Sequence, residues 1–195
     1  MKRHLLSGLV AVAALSLALT GCAGTDKSED PGADPTDSKT TYTIGIATYV
    51  SHPALQAVQD GFEEVLKEEG ISYTVVSQNG LGDPANSATI ANAFAADQSL
   101  DLILAITTPI ALAMATAEQD RPILFSAVTD PVEVGLVPSW DQAGFNVTGT
   151  SDLNPDARPV ALVKEAMPDV KTIGVLYSSS EANSLIQLRA YEAEA

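Results

Sequence analysis

The sequence is poor in the side chains on which metal binding and nucleophilic catalysis depend. Its 195 residues include one cysteine, Cys22, and two histidines, His4 and His52. A lone cysteine excludes a disulfide within the chain, and two such separated histidines form no metal-binding cluster. No Gly-x-Ser-x-Gly elbow, Gly-x-x-x-x-Gly-Lys loop or dinucleotide-binding glycine pattern occurs. We therefore expect no metal, no cofactor and no catalytic residue, and so a protein that is not an enzyme.

Positive charge is also scarce. Ten Lys and Arg residues stand against 25 Asp and Glu residues, which gives a formal net charge of −15. A surface this acidic repels phosphate groups, which disfavours nucleic-acid binding and charge-driven membrane binding, and we expect no nucleic-acid partner.

The first 21 residues are typical of a bacterial export signal. Lys2 and Arg3 precede an apolar run, residues 5–19, that is too short for a comfortable membrane span. The run ends in "LTGC", which resembles the lipobox of bacterial lipoproteins, a family in which the cysteine receives a diacylglyceryl group and becomes the mature N-terminus. We expect an extracytoplasmic protein anchored to the cell membrane by lipid at Cys22. The alternative is a plain secretory signal with an incidental cysteine.

A tether is predicted over residues 22–41. This segment contains no large apolar residue and is dominated by Gly, Pro, Ser, Thr and Asp. Such a composition cannot compensate for the entropy lost on ordering. The folded part should begin near Tyr42.

From Tyr42 onward, apolar runs of strand length alternate with segments of helical periodicity. The predicted strands are 42–48, 72–78, 101–107, 122–127, 146–150 and 171–180, and the predicted helices are 54–70, 85–97, 110–119, 156–168 and 181–195. Strands and helices in alternation predict an α/β fold with a parallel sheet.

Polar residues and a proline follow each of the first four strands. The pairs are His52-Pro53, Asp83-Pro84, Thr108-Pro109 and Asp130-Pro131. Proline suits the first position of a helix, and His52, Asp83 and Thr108 are predicted to cap the helices that follow. Parallel strands place these junctions at one edge, where ligands of open α/β sheets bind. The polar groups predicted there are Thr48, Tyr49, Gln78, Asn79, Thr107, Thr108, Ser126, Thr129 and Asp130. Ser126 should face either the crevice or a neighbouring strand.

This set of side chains suits an amino acid. Ser126, Thr107 and Thr108, with the helix N-termini, can donate to a carboxylate, and Asp130 or Glu181 can accept from an ammonium group. The rings available for an aromatic side chain are Tyr49 and Tyr177. For each of them the alternative is a half-buried tyrosine bonded to the backbone.

Several motifs together resemble a known family. They are "IGIATYVSHPALQAVQDGFEEVLKEEG", "DLILAITTPIALAMAT", "PILFSAVTDPVEVGLV", "NVTGTSD" and "IGVLYSSSEANS". Over residues 43 to about 190 the chain is similar to the ABC-transporter substrate-binding lipoproteins of the tryptophan/tyrosine-binding type. The resemblance implies a type I periplasmic-binding-protein-like fold, in which two α/β lobes with parallel sheets close on a small solute. It implies an amino-acid ligand, possibly aromatic, that is handed to ABC permease subunits.

The resemblance also implies ligand-binding residues and a domain organisation. The implied contacts are Thr48, Tyr49, Gln78, Asn79, Thr107, Thr108, Ser126, Ala127 and Asp130 in the first lobe, and Tyr177, Ser179, Glu181, Asn183 and Ser184 in the second. The first lobe should span residues 42–150, and residues 151–195 should begin a second lobe that the chain leaves incomplete. Family members often show Asn-Ala-Gln-Gly-Asp where this chain has "QNGLGD", which puts the contacts of the second loop in question.

Two other functions fit the same sequence. One is a ligand-binding sensory lipoprotein, which would need a partner to carry its signal across the membrane. The other is an exported α/β enzyme whose catalytic groups lie elsewhere. A permease and an ATPase encoded beside it would favour transport, and turnover of a substrate would favour the enzyme.

We predict that Cys22→Ser abolishes lipid attachment, because the thiol is the group that is acylated. Incorporation of labelled fatty acid by the expressing bacterium is the measurement. Label that persists in the variant would contradict the lipobox interpretation.

Overall fold

The computed structural model describes residues 40–154 and 158–195. The elements follow in the order β1 (Thr41–Thr48), α1 (Pro53–Glu68), β2 (Ser72–Asn79), α2 (Pro84–Ala96), β3 (Leu102–Ile106), α3 (Thr108–Ala117), β4 (Ile123–Val128), β5 (Val147–Ser151), α4 (Arg158–Ala166) and α5 (Ala182–Glu194). The predicted signal peptide, Cys22 and nearly all of the predicted tether lie outside the described residues. No helix within the described ranges is long and apolar enough to cross a membrane.

One sheet organises the molecule. Its five strands lie in the order β2-β1-β3-β4-β5, and every neighbouring pair is parallel. The predicted α/β fold with a parallel sheet is therefore confirmed. All five strands end at the same edge, which we call the carboxyl edge.

Helices cover the two faces of the sheet unequally. On one face, Phe94 of α2 and Met114 of α3 pack with Ile103 and Phe125 of the sheet. On the other face, Phe62 of α1 packs with a smaller cluster of buried residues. That cluster is Ile44, Ile46, Leu104 and Ile106. Successive strand residues point to opposite faces, so nearly continuous apolar strands serve both layers.

Two of the predicted helix caps are confirmed. Nδ1 of His52 accepts from the Ala54 N–H at 3.2 Å, and the Asp83 carboxylate accepts from the Ala85 N–H at 2.7 Å. Each of these side chains satisfies one of the N–H groups that the first turn of a helix leaves without a partner.

The other two junctions differ from the prediction. Thr107, not Thr108, occupies the cap position of α3, and Thr108 begins the helix. The Thr108 hydroxyl accepts instead from the Thr129 N–H at 3.3 Å, because α3 lies against the end of β4. After Asp130 the chain forms turns, and no helix lies between β4 and β5, so Pro131 does not stand in the first turn of a helix as the other three prolines do.

The predicted strand at 171–180 is also wrong. Residues 171–178 have no regular structure, although the helices on either side form as expected. A strand needs a neighbour to complete its hydrogen-bond ladder, and the described residues provide none for this segment. Ile173 and Val175 are 37% exposed as a result, and Leu176 is fully exposed.

A buried ion pair ties the helices to the opposite, amino-terminal edge of the sheet. Arg121 lies 3.4 Å from Glu118 and donates to the Phe94 carbonyl at 2.9 Å. Asn146 donates to the carbonyls of Glu118 and Arg121 and so fixes the start of β5. Burial alone would raise the pKa of Glu118. Hydrogen bonds from the N–H groups of Arg121 and Asp120, with the Arg121 charge, outweigh it and hold that pKa below its ordinary value.

We predict that Glu118→Gln lowers the free energy of unfolding by about 1–3 kcal/mol near neutral pH, the scale of hydrogen bonds to a charged group. Because the folded-state pKa is lowered, the charged group stabilises the fold above the unfolded-state pKa of about 4.3. That stabilisation is lost as the pH falls through the folded-state value. Urea unfolding of parent and variant should therefore differ near pH 7 and converge in acid.

The matched control is Glu68→Gln, which changes an exposed carboxylate at the end of α1. It should leave the free energy of unfolding nearly unchanged at both pH values. A Glu118→Gln variant as stable as its parent at neutral pH would contradict the assignment.

Candidate ligand-binding site

The carboxyl edge brings the first-lobe candidates together. Thr48 at the end of β1 lies opposite Asn79 on β2 and Ile106 on β3, and Ile106 lies opposite Ser126 on β4. The connection order reverses at β1, which has β2 on one side and β3 on the other. A reversal of this kind marks the crevice where open α/β sheets bind ligands.

A cleft of about 320 Å³ lies at this edge, between the ends of β1 and β2 and the start of α1. Three predicted residues line it: Thr48, Gln78 and Asn79. Sequence reasoning missed the others, which are Val50, Ser51, His52, Pro53, Leu55, Gln56, Gln59 and Ser77. The spacing of His52, Gln56 and Gln59 on one helical face, just after the strand, could have revealed them.

Backbone strain gathers at the carboxyl edge. Among the described residues, positive φ at a non-glycine residue occurs at Leu81 (56°), Thr107 (92°) and Ala127 (53°). Each of the three lies at or just beyond the end of a strand. Thr107, with ψ of 157°, lies in a region that only glycine adopts easily. Such conformations cost about 1–3 kcal/mol each and cluster at binding and catalytic sites.

Unsatisfied polar atoms occur at two of the predicted residues. Among the described residues, the buried side-chain atoms without a hydrogen-bond partner are Thr107 Oγ1 and Asn183 Oδ1. Buried polar groups are nearly always bonded, so each exception calls for an explanation. Both atoms keep a hydrogen-bonding capacity that no described residue uses.

Tyr49 is part of the core rather than a wall of the cleft. Its side chain is 6% exposed and packs in the larger apolar cluster, and its hydroxyl donates to the Gly82 carbonyl at 2.8 Å. This arrangement matches the alternative given in the sequence analysis, a tyrosine whose hydroxyl bonds the backbone. Contact of Tyr49 with a ligand stays a prediction. Burial, and after it the negative charges of Glu181 and Asp83, raise the pKa of Tyr49. The charge of the Glu181 carboxylate therefore acts on the Tyr49 hydroxyl.

Other predicted groups are already engaged within the protein. Ser126 faces the neighbouring strand, where its hydroxyl bonds the Thr150 hydroxyl at 3.1 Å. Asp130 Oδ1 accepts from the N–H groups of Val132 and Glu133 and stabilises a turn. Of the two proposed acceptors for an ammonium group, Glu181 makes no capping hydrogen bond with its side chain.

Helix α5 carries most of the remaining candidates. Glu181, Asn183 and Ser184 are half-buried at its start, whereas Tyr177 is 49% exposed and Ser179 is exposed. Neither Tyr177 nor Ser179 lines the cleft. The helix contacts α3, Ile186 on it is buried, and its Arg189 forms an ion pair with Glu133.

The described ranges contain no group of three or more His, Cys, Asp or Glu side chains placed to hold a metal ion. The chemistry that the carboxyl edge offers is hydrogen bonding by hydroxyls, amides and helix N-termini, with a carboxylate nearby.

Comparison with known proteins shows the family of the chain. The family model described as ABC transporter substrate binding protein matches residues 43–195. A tyrosine-binding protein of Clostridioides difficile is 42% identical over 175 residues, which cover 87% of this chain and 50% of that protein.

Solved structures show the same relationship. An ABC domain from Streptococcus pneumonia in complex with L-Trp is 39% identical, with a TM-score of 0.74 over 79% of this chain and 53% of that one. A type 1 periplasmic binding protein from Bordetella pertussis, 16% identical with a TM-score of 0.54 over 79% of this chain and 45% of that one, shares the fold alone. The chain spans about half the length of these relatives.

We predict that Thr107→Gly makes the protein more stable and a weaker binder. Glycine would relieve about 1–3 kcal/mol of backbone strain in the folded state. It would also make the unfolded chain more flexible, which costs about 0.5–1 kcal/mol of stability. The free energy of unfolding, measured with urea, should be about 1 kcal/mol higher in the variant than in the parent. Loss of the hydroxyl should weaken binding of the expected amino-acid ligand roughly three- to tenfold.

Thr74→Gly on β2 is the control, since Thr74 is exposed and has no positive φ. Glycine there should destabilise the strand without strengthening or weakening binding. If Thr107→Gly unfolds more easily than the parent, Thr107 is not strained.

Proposed function

Because the chain belongs to the ABC transporter substrate binding protein family, we propose that it captures an amino acid outside the cytoplasm for an ABC importer. The protein is held at the membrane by lipid on Cys22 and passes its ligand to permease subunits. The ligand is an amino acid with an aromatic side chain.

The observation that carries the proposal is the state of Thr107 at the strand reversal. Its backbone is strained and its hydroxyl is buried without a partner. A group held in this way is prepared to bond a ligand that arrives later. The N-terminus of α3 begins at the next residue, and its N–H groups and partial positive charge favour a carboxylate.

The ammonium group of an amino acid requires a negatively charged acceptor. Glu181 supports this role because its carboxylate lies close enough to Tyr49 to raise that residue's pKa. Asn183 lies in the first turn of the same helix and has an unpartnered amide oxygen. Oxygen acceptors from α5 and donors from α3 would together hold both ends of a zwitterion.

The names of two relatives support a ligand with an aromatic side chain. One is named for tyrosine binding, and another was solved with L-Trp. The cleft beside Thr48 offers room for a ring beside apolar and polar groups. Attachment to the membrane is supported by the "LTGC" sequence that ends at Cys22.

Calorimetric titration of the full-length protein with L-tyrosine and L-tryptophan tests the proposal. We expect binding of at least one of them, and we expect Glu181→Gln to weaken it by about 1.5–3 kcal/mol, the contribution of a hydrogen bond to a charged group. Asp130→Asn should act mainly on stability, since the Asp130 carboxylate bonds its own turn.

Glu192→Gln, an exposed change near the end of the same helix, is the matched control and should bind like the parent. Absence of heat with every aromatic amino acid would refute the proposed ligand class. Parent-like affinity of Glu181→Gln would place the ammonium acceptor elsewhere.

A further inference from the structure

The chain leaves the sheet at the carboxyl end of β5. Ser151 is the last residue of that strand, and no described residue beyond it joins the sheet again. The helices that follow, α4 and α5, contact each other, and Lys164 of α4 donates to the Glu194 carbonyl of α5 at 2.6 Å. The residues just after Ser151 therefore begin the covalent link between the sheet and a second group of elements.

Strand β5 itself has little freedom to move against β4. A Cβ at Gly149 would collide with the Phe125 carbonyl oxygen, so the two backbones lie in close contact. The Asn146 amide fixes the start of β5 through two carbonyls of the loop before β4. A movement of α4 and α5 relative to the sheet therefore has to begin beyond Ser151.

Hydrogen bonds hold the first residues of this link. The Ser151 hydroxyl donates to the Thr129 carbonyl at 2.7 Å and accepts from the Leu153 N–H at 2.9 Å. The Asp152 N–H donates to the Val128 carbonyl at 3.1 Å. Ser151 thus bonds the end of β4 on one side and the start of the link on the other.

Thr129 joins these bonds to the predicted ligand contacts. Thr129 is 4% exposed, and its N–H donates to the Thr108 hydroxyl at 3.3 Å. Thr108 begins α3 and directly follows Thr107. One buried residue therefore connects the start of the link with the helix N-terminus proposed for the carboxylate of the ligand.

The Ser151 hydroxyl is already used within the protein. A serine hydroxyl has a single proton, and here that proton is donated to the Thr129 carbonyl. The oxygen also accepts from the Leu153 N–H. Ser151 therefore has no proton left to donate to a ligand carboxylate, and its bonds act on the position of the chain.

Helix α5 is the element whose position this link controls. It carries Glu181 and Asn183, which are proposed for the ammonium group of the ligand. The helix lies against α3, its Ile186 is buried, and its Arg189 forms an ion pair with Glu133. The two ends of the proposed site, on α3 and α5, are therefore connected through the residues that Ser151 holds.

We propose that Ser151 is a positioning residue for ligand capture, because it fixes the pivot about which the elements beyond β5 close on the bound amino acid. The inference rests on the proposed function, in which α5 and the carboxyl edge hold the same ligand. With the pivot tied through Thr129 to the start of α3, closure brings the contacts of α5 into alignment with Thr107. Without the tie, the link samples more orientations, and ordering them costs binding free energy.

Stopped-flow kinetics of the full-length protein with L-tyrosine or L-tryptophan, whichever binds, tests the pivot. Ser151→Ala removes both hydrogen bonds, and the ligand should dissociate about three- to tenfold faster. The association rate should stay within about twofold, because contacts made after encounter act mainly on dissociation. Ser151→Thr keeps the hydroxyl and should restore the parent dissociation rate. A role in stability alone would leave ligand dissociation from the folded protein unchanged.

Hydrogen exchange of the ligand-free protein gives a second measurement. The Leu153 amide loses its acceptor in Ser151→Ala and should exchange faster than in the parent, whereas Ser151→Thr should keep the parent rate. Parent-like protection of this amide in Ser151→Ala would show that the hydroxyl does not hold the link, and would overturn the proposal.

Ser99→Ala is the matched control, because the Ser99 hydroxyl also holds a turn, through a bond to Asp97 at 2.6 Å, but at the opposite edge of the sheet. It should keep the parent dissociation rate. Parent-like dissociation from Ser151→Ala, or equally fast dissociation from Ser151→Thr, would overturn the assignment of the pivot and leave the proposed function intact. Failure of the parent to bind any aromatic amino acid would overturn the proposed function, and the inference with it.

Discussion

The structure depends on one constraint, the parallel pairing of β1 with both β2 and β3. Parallel pairing sends every strand end to the same edge, and the helix N-termini collect there with their spare N–H groups. The conformation of Thr107 is held by the neighbouring strand β4 and by the first turn of α3. The Thr107 N–H donates to the Ser126 carbonyl at 2.9 Å, and the Thr107 carbonyl accepts from Ala111 at 3.0 Å. A strained residue persists where neighbours determine its position in this way.

The two edges of the sheet are organised differently. At the amino-terminal edge, Glu118, Arg121 and Asn146 bond one another and the backbone. At the carboxyl edge, Thr107 is strained and carries a buried atom without a partner. At one edge these polar groups satisfy one another, whereas at the other Thr107 keeps a hydroxyl that no described residue bonds. The buried apolar layers between them, with Ile103, Ile106 and Ile110 fully enclosed, keep the two edges in register.

Local patterns made much of the fold predictable. The first four strands follow from apolar runs, and the caps at His52 and Asp83 follow from their positions before proline, because each of these signals lies within a few residues. Segment 172–177 has the same kind of pattern, but no strand among the described residues lies beside it, so its state depends on contacts with residues distant in the chain. The shift of the cap from Thr108 to Thr107 is likewise a tertiary effect, produced by the bond from Thr129.

The sequence predicted the location of the candidate site, at the carboxyl edge of the sheet, but not the conformations and contacts of its residues. Parallel topology alone groups Thr48, Asn79, Thr107 and Ser126. Three details depend on tertiary contacts and cannot be predicted from neighbouring residues in the sequence. They are the burial of the Tyr49 ring, the turn stabilised by Asp130, and the positive φ of Thr107 and Ala127. Family resemblance supplied Ala127 as a candidate, and its backbone conformation gives a physical reason for that choice.

The central claim is that the carboxyl edge is where the amino acid binds. Backbone amide NMR of the full-length protein, titrated with L-tyrosine, tests it most directly. The account predicts that the largest shift changes fall in residues 48–52, 79–82, 107–108 and 126–130, while residues 97–101 and 118–121 at the opposite edge stay nearly constant. Shift changes concentrated at that opposite edge, with the carboxyl edge unaffected, would contradict it.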